Sequence, residues 1–455
     1  MRDFKPVVAL IALSTLPAMA PAADDAAALR AELQALKSDY DSRVDALEAR
    51  IKQLEAANAA AADAALAVAA APPPTPEPAP GGTPAGNASA FNPAISLILG
   101  GSVTGSSRDP ADWHIAGFPP AGDEIGPGER SFNLGESELT FTASIDPYFS
   151  GVLTAAITAD NEIEVEEAYF RTTALADGVT LKGGRFFSGF GYLNEVHAHA
   201  WDFVDQPLVY QAMFGGQYRQ EGLQVKWLAP TDLFLEFGAE TGNGASYPAT
   251  RLEKNGFNGA TLFAHAGGDI GEFASWRAGV SWLTQKAEGR EGGIEDAEGV
   301  PLFEQFSGDS DTWVIDGVLK WAPTPRRQLK LQAEYMRRRE SGEIADSTGL
   351  VLADDYRNTS SGWYLQSVYQ FAPRWRVGAR YDALDSGTPS YLLAPPDLIG
   401  ANPDRFSVML DWNPSEFSRL RAQYDWDDAR DEAESDRIWR IQYVYGIGAH
   451  GAHKY

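Results

Sequence analysis

Between residues 94 and 455 apolar and polar side chains alternate with a period of two, in segments of about ten residues that carry Trp or Tyr near their ends. Leu139, Phe141, Ala143 and Ile145 share one face against Glu138, Thr140, Thr142 and Ser144. Leu223, Val225 and Trp227 stand against Gln224 and Lys226, and Trp276, Ala278, Val280 and Trp282 against Arg277, Gly279 and Ser281. The same phase recurs in Trp313 to Trp321, Leu329 to Tyr335, Trp375 to Tyr381, Phe406 to Trp412 and Leu420 to Trp426. A strand places successive side chains on opposite faces, so each segment has one wet face and one oily face. Segment length and aromatic ends match strands whose oily face meets lipid.

The connections sharpen that reading. Short turns such as Asp146-Pro147-Tyr148, Ala229-Pro230-Thr231-Asp232, Ala372-Pro373 and Asn413-Pro414 alternate with longer polar stretches near 105–130, 188–220, 241–256, 286–311, 340–358, 385–402 and 429–436. Strict short–long alternation is required of a closed barrel with turns at one end and loops at the other, and a sandwich has no such need. The predicted fold class is all-β, a transmembrane antiparallel barrel of about 16 strands over 91–455. The final strand carries Trp439, Ile441, Tyr443, Tyr445 and Ile447 on one face, in phase with Tyr455. That aromatic end resembles the signal that outer-membrane assembly recognises.

Upstream the chain reads differently. Arg2 and Lys5 precede a short apolar run from Val7 to Leu16 and an Ala20-Pro21-Ala22 cleavage site, so 1–22 is expected to be a signal peptide. Its apolar run is about half the roughly 20 residues a spanning helix needs. Residues 24–57 lack Gly and Pro. Leu29, Leu33, Leu36, Tyr40, Val44, Leu47, Ile51 and Leu54 form a heptad seam with one stutter between Tyr40 and Val44. An α-helical coiled coil, N-terminal to the barrel and periplasmic, would cover that stripe; a lone helix would leave it wet. Residues 58–90, Ala-rich and then Pro-rich, form a spacer. The coiled coil also permits a tethering role, with the barrel as anchor and a periplasmic partner or the cell wall at the far end.

Composition excludes several classes. With 63 acidic against 37 basic residues the net charge is −26, which disfavours nucleic acid as a partner. The absence of cysteine removes disulfides and thiolate chemistry. No GxSxG, HExxH or phosphate-binding loop is present, so no enzyme activity and no cofactor is expected.

If the oily faces look outward, the polar faces line the lumen. Lys330, Arg338, Arg374, Arg376, Arg380, Arg405, Arg419, Arg421 and Arg440 would make a basic wall, and Glu136, Glu138, Glu162, Glu164 and Glu166 an acidic one. Opposed walls favour small hydrophilic solutes, and the basic wall favours anions. The alternative is that the arginines are structurally paired, because Asp382, Asp411, Asp425 and Asp427 lie among them. The connection 188–220 follows the fifth strand and is rich in large groups: Tyr192, Glu195, His197, His199, Trp201, Asp202, Asp205 and Tyr210. Such content suits a loop folded inward to narrow the pore. Within it His197, His199, Asp202 and Asp205 are a candidate nitrogen/oxygen set for zinc or another divalent ion. The alternative is that the histidines pin the loop to the wall by hydrogen bonds.

Together these features resemble the phosphate-selective (O/P-type) porin family: leader, coiled coil, Pro-rich spacer, about sixteen alternating strands, long third loop and Arg-lined C-terminal half. Segments around Phe91 to Ser96, Asn161 to Phe170 and Gly448 to His453 also look like a subgroup of uncharacterised outer-membrane proteins, some labelled zinc-regulated or TonB-dependent receptors. The resemblance implies a homotrimer in the outer membrane of a Gram-negative bacterium, taking up anions passively. A TonB-dependent receptor would need a plug of over a hundred residues and about 22 strands, more than this chain supplies.

Overall fold

The computed structural model describes residues 93–448, apart from 123–124, 159–161, 245, 251–254, 293–302, 395–397 and 399, together with the isolated positions 34 and 52. The chain divides into two units, Met1–Ala85 and Gly86–Tyr455. The expected leader, coiled coil and spacer lie outside the described residues, as do His450, His453 and Tyr455.

The second unit is a closed antiparallel barrel of sixteen strands. The first half contains β1 (Ala94–Ser106), β2 (in two pieces, Ser131–Leu134 and Ser137–Ser144), β3 (Phe149–Ile157), β4 (Ile163–Thr172), β5 (Val179–Phe187), β6 (Arg219–Leu228), β7 (Phe234–Gly242) and β8 (Gly259–Ile270). The second contains β9 (Ala274–Glu291), β10 (Gln305–Thr324), β11 (Arg327–Ala345), β12 (Val351–Ala372), β13 (Trp375–Asp385), β14 (Asp404–Ser415), β15 (Ser418–Asp428) and β16 (Asp436–Gly448). Each strand pairs with its sequence neighbour, and β1 closes the ring on β16 through Leu99 opposite Tyr445 and Val103 opposite Ile441. Closure pairs both sides of every strand around the belt, and open edges remain only where β9 and β12 outrun their shorter neighbours, beyond Gln285 and before Ser361.

The alternation read from the sequence is the alternation of the wall. Phe406, Leu410, Trp412, Trp439, Ile441 and Tyr443 look outward with roughly two-fifths or more of their surface exposed. Ser407, Asp411, Arg421 and Arg440 look inward and are buried. Cross-strand aromatic pairs mark the two margins of the oily band, Trp375 with Trp412 near the turns and Phe406 with Trp426 near the loops. An exterior of this kind suits hydrocarbon as its solvent. Val408 faces outward between Phe406 and Trp412, within the oily band, so Val408→Arg should destabilise the barrel in lipid vesicles by about 2–4 kcal/mol. Denaturant titration of refolded protein checks this, and an equal loss for a charge placed at the Glu416 turn would contradict it.

The structure departs from the sequence reading on one side. Strands β9 to β12 run for 18, 20, 19 and 22 residues, where about 9–11 suffice to cross a bilayer. Residues 286–291 and 305–311, and likewise 340–345 and 351–358, expected as parts of loops, continue the ladder instead. There the outward face carries Lys286, Asp309, Arg337 and Arg339, while the inward Ala287, Phe306, Ile344 and Tyr356 form a small core. Polarity outside and oil inside invert the pattern of the belt, so the period persists while the composition resembles a loop. A 22-residue strand tilted by about 40° rises roughly 55 Å, against roughly 23 Å for a nine-residue strand such as β3.

Two bulges bring extra carboxylates to the inner wall. Between the pieces of β2 the register on β1 slips by one residue at Gly135-Glu136, which turns Leu134 outward and leaves Glu136 beside the lumen. The backbone there crowds Gly100; a Cβ on Gly100 would lie 2.7 Å from the Glu136 carbonyl oxygen. In β4 the register slips opposite Thr154 and Ala155, and the consecutive Glu166 and Glu167 are both buried on the inner face.

Candidate functional site

The connection between β5 and β6, residues 188–218, folds into the barrel. It contains one short helix, α1 (Leu208–Phe214), every residue of which is buried. Gly215 ends the helix in the left-handed conformation, φ 65°, which a glycine adopts without steric cost. Phe190, Leu193, Leu208, Val209, Tyr210, Met213, Phe214 and Tyr218 pack on inward apolar residues of the wall, Leu283, Val314, Met336, Tyr364 and Leu384. This is the expected inward loop, and its aromatic content builds a core inside the barrel.

Polar anchors fix its ends. Glu334 accepts from Tyr210 Oη at 2.9 Å, Tyr364 Oη at 2.7 Å and the Tyr192 and Leu193 amides at 3.2 and 3.0 Å. Glu240 accepts from the Gly189 amide at 2.8 Å and from Gln220 and Gln224.

Reciprocal charge seats the middle of the loop. Asp202 lies 2.9 Å from Lys330 and 3.0 Å from Arg376, which also pairs with Asp411. Asp205 is held by Arg380 at 3.0 Å, Arg405 at 3.0 Å and Arg440 at 3.2 Å. Arg421 bonds Asp411 and the Trp201 carbonyl, and Arg419 bonds the carbonyls of His199 and Trp201. Arg338 lies under α1, donating to the Met213 carbonyl. Glu195 meets Lys226 at 3.3 Å.

On the opposite wall the signs reverse. His197 Nε2 is 3.0 Å from Glu167, its Nδ1 is 3.3 Å from Glu138 and 3.4 Å from Glu166, and His199 Nδ1 is 2.7 Å from Glu138. Burial pushes the His197 imidazole down, but the three glutamates outweigh burial and hold it well above the usual histidine range.

Water-sized space remains on both sides of the loop. A cavity of about 3130 Å³ opens toward the long loops, and its lining holds more carboxylates than guanidinium groups. A cavity of about 630 Å³ opens toward the turns, lined by Arg374, Arg376 and Arg419 with Glu416. His199 lines both, so the segment 198–201 divides them.

The residues expected from the sequence therefore separate into two groups. His197 and His199 stand with Glu138, Glu166 and Glu167, while Asp202 and Asp205 are taken by guanidinium groups and Lys330. The four do not form one ligand set. Of the basic residues expected in the pore, Lys330, Arg338, Arg380, Arg405 and Arg421 line neither cavity, because the loop covers them. Arg374 sits at the turn before β13, exposed. Of the acidic residues, Glu136, Glu138 and Glu166 face the histidines, Glu164 pairs with Arg219 at 2.6 Å, and Glu162 is exposed at the start of β4. Glu167 is the member that sequence reasoning misses. Strict alternation would turn it into lipid beside an inward Glu166, and two adjacent glutamates in such a segment are the signal of a bulge.

The clamp carries a definite pH dependence. Burial opposes ionisation of Asp202 and Asp205, yet Lys330 and Arg376 at the first, and Arg405, Arg440 and Arg380 at the second, hold both well below the usual carboxylate range. A carboxylate depressed in the folded state contributes stability above its unfolded value of about 3.9, and that contribution fades as pH falls toward the folded value. Amide exchange across 202–206 in detergent micelles should therefore stay slow from pH 8 to about 4 and accelerate only in stronger acid. Acceleration near neutrality would contradict the clamp.

No protein-family model matches the chain. Among solved structures, a loop L8 deletion mutant of OmpT, an outer membrane protein of Vibrio cholerae, aligns with TM-score 0.51 and 10% identity over 78% of this chain and 98% of that one. That likeness is one of fold alone. The anion-selective porin from Comamonas acidovorans aligns with TM-score 0.49 and 10% identity, over 78% and 98% of the two chains. Among curated proteins, an uncharacterized protein of Aquifex aeolicus (strain VF5) is 30% identical over 391 residues, covering 80% of this chain and 80% of that protein. The chain belongs to the family of that Aquifex aeolicus protein.

Proposed function

We propose that this protein is an outer-membrane porin, a passive diffusion channel for small hydrophilic solutes. The observation that carries the reading is the closed barrel with an oily exterior and an inward third loop, with water-accessible space on either side of 198–201. Solutes move down their gradient, so no reaction or cofactor is required. The N-terminal unit is taken to be periplasmic and the assembly a homotrimer, as in the O/P-type porins the architecture resembles.

Anion preference is the finer part of the proposal. Its support lies at the turn-end cavity, where Arg374 and Arg419 stand against Glu416, while Arg376 beside them is paired with Asp202 and Asp411. The deeper arginines are occupied by aspartates, so the preference is expected to be modest. Planar-bilayer recording with folded protein tests both parts. Discrete conductance steps are expected, with a reversal potential in a salt gradient displaced toward the anion side. A folded barrel that gives no steps would overturn the channel, and a cation-side reversal potential would overturn the preference.

A further inference from the structure

Three of the buried side-chain atoms that lack a hydrogen-bond partner in the described residues belong to neighbouring groups: Glu136 Oε1, Glu166 Oε2 and His197 Nδ1. Glu138 and Glu166 are 1% and 5% exposed, and one ligand atom each from Glu138, Glu166 and His197 falls within 4.8 Å of the others. Glu136, Glu138, Glu166 and Glu167 converge on His197 and His199, so the pocket gathers oxygen and nitrogen donors in one buried place.

The spacing is informative. His197 Nδ1 stands 3.3 Å from Glu138 Oε2 and 3.4 Å from Glu166 Oε2, and neither contact has hydrogen-bond geometry. Metal–ligand bonds of about 2.0–2.2 Å at tetrahedral angles place the ligand atoms about 3.3–3.6 Å apart. The outer contacts match as well. Glu167 holds Nε2 at 3.0 Å, which aims Nδ1 at the two carboxylates. His199 holds the other oxygen of Glu138 at 2.7 Å. A carboxylate behind a histidine is how proteins orient an imidazole toward a metal.

We propose that Glu138, Glu166 and His197 bind a divalent first-row transition ion, with Glu167 and His199 as positioning residues and Glu136 or water completing the shell. One imidazole with two carboxylates suits zinc-like ions better than calcium or magnesium, which take oxygen ligands. The ion replaces a proton on Nδ1 and reaches the pocket from the loop-end cavity, which Glu136, Glu166 and His199 line. Because His197 belongs to the inward loop and the glutamates to β2 and β4, the ion staples the loop to the acidic wall. Its effect on current rests on the channel reading; its binding does not.

Zinc titration of the full-length protein in detergent micelles, followed by calorimetry, tests the site. One ion per chain is expected, with binding lost in Glu166→Gln and in His197→Ala. Glu167→Gln should weaken it by about 10–100-fold. His114→Ala, an exposed histidine elsewhere, should bind as the parent does. Heat-modifiable gel mobility verifies that each variant is folded. On the unaltered protein, cobalt(II) should give the intense visible bands of a four- or five-coordinate ion. Absence of stoichiometric zinc binding, equal affinity in folded Glu166→Gln and His197→Ala, or a cobalt spectrum like that of the aqueous ion would each overturn the proposal. None of these results bears on whether the barrel conducts.

Discussion

Replacing residues 189–217 by a short Gly/Ser turn should leave the barrel folded, raise single-channel conductance several-fold and shift selectivity further toward anions. The barrel survives because its ring of strand pairs does not pass through the loop. β5 and β6 pair from Val179 opposite Trp227 to Phe187 opposite Arg219, a register that a hairpin turn can close. Stability falls, because Leu283, Val314, Met336 and Tyr364 lose their apolar cover, at about 1.5–3 kcal/mol for each side chain fully re-exposed. The selectivity shift follows from the ion pairs. Without Asp202 and Asp205, the cations Lys330, Arg376, Arg380, Arg405, Arg419, Arg421 and Arg440 outnumber Asp382, Asp411, Asp425 and Asp427 on the same wall. Unchanged conductance in a folded deletion variant would show that the loop is not the constriction.

The second large effect concerns one carboxylate. Asp205→Ala removes the shared partner of Arg380, Arg405 and Arg440, all buried. Breaking a buried pair by removing one partner costs about 3–5 kcal/mol, because the remaining charge stays desolvated. Asp205→Asn should recover little, since the amide offers an acceptor without the charge. Adding Arg405→Leu to Asp205→Ala should recover part of the loss, because an apolar side chain removes one orphaned charge. Urea unfolding in micelles, read by gel mobility, gives all three values. A loss below about 1 kcal/mol for Asp205→Ala would mean that the clamp is screened by water.

The barrel was legible because the lipid-facing rule acts on each residue separately: Trp439, Ile441 and Tyr443 announce their face one at a time. The inward third loop was legible for a related reason, since Tyr192, Trp201 and Tyr210 are too apolar for a solvated loop. What the sequence hid was partnership. Nothing local distinguishes an arginine that lines water from one that grips a carboxylate some 200 residues away, as Arg405 grips Asp205. For the same reason the sequence grouped His197 and His199 with Asp202 and Asp205, their neighbours along the chain. The two residues Ala200 and Trp201 are enough to send one pair to β2 and β4 and the other to β11 through β16. The tall hairpins were hidden because above the lipid the strand's outer face meets water, and a wet outer face reads as loop.

Those hairpins make the barrel wall uneven in height. Its second half stands as a parapet well clear of the lipid surface, while the β3–β4 hairpin on the other flank scarcely rises above it. A large body approaching the loop end would strike the parapet and come to rest aslant. On the low flank the loop-end cavity is bordered by Glu136, Glu164 and Glu166, so a small solute that keeps to that side moves along carboxylates.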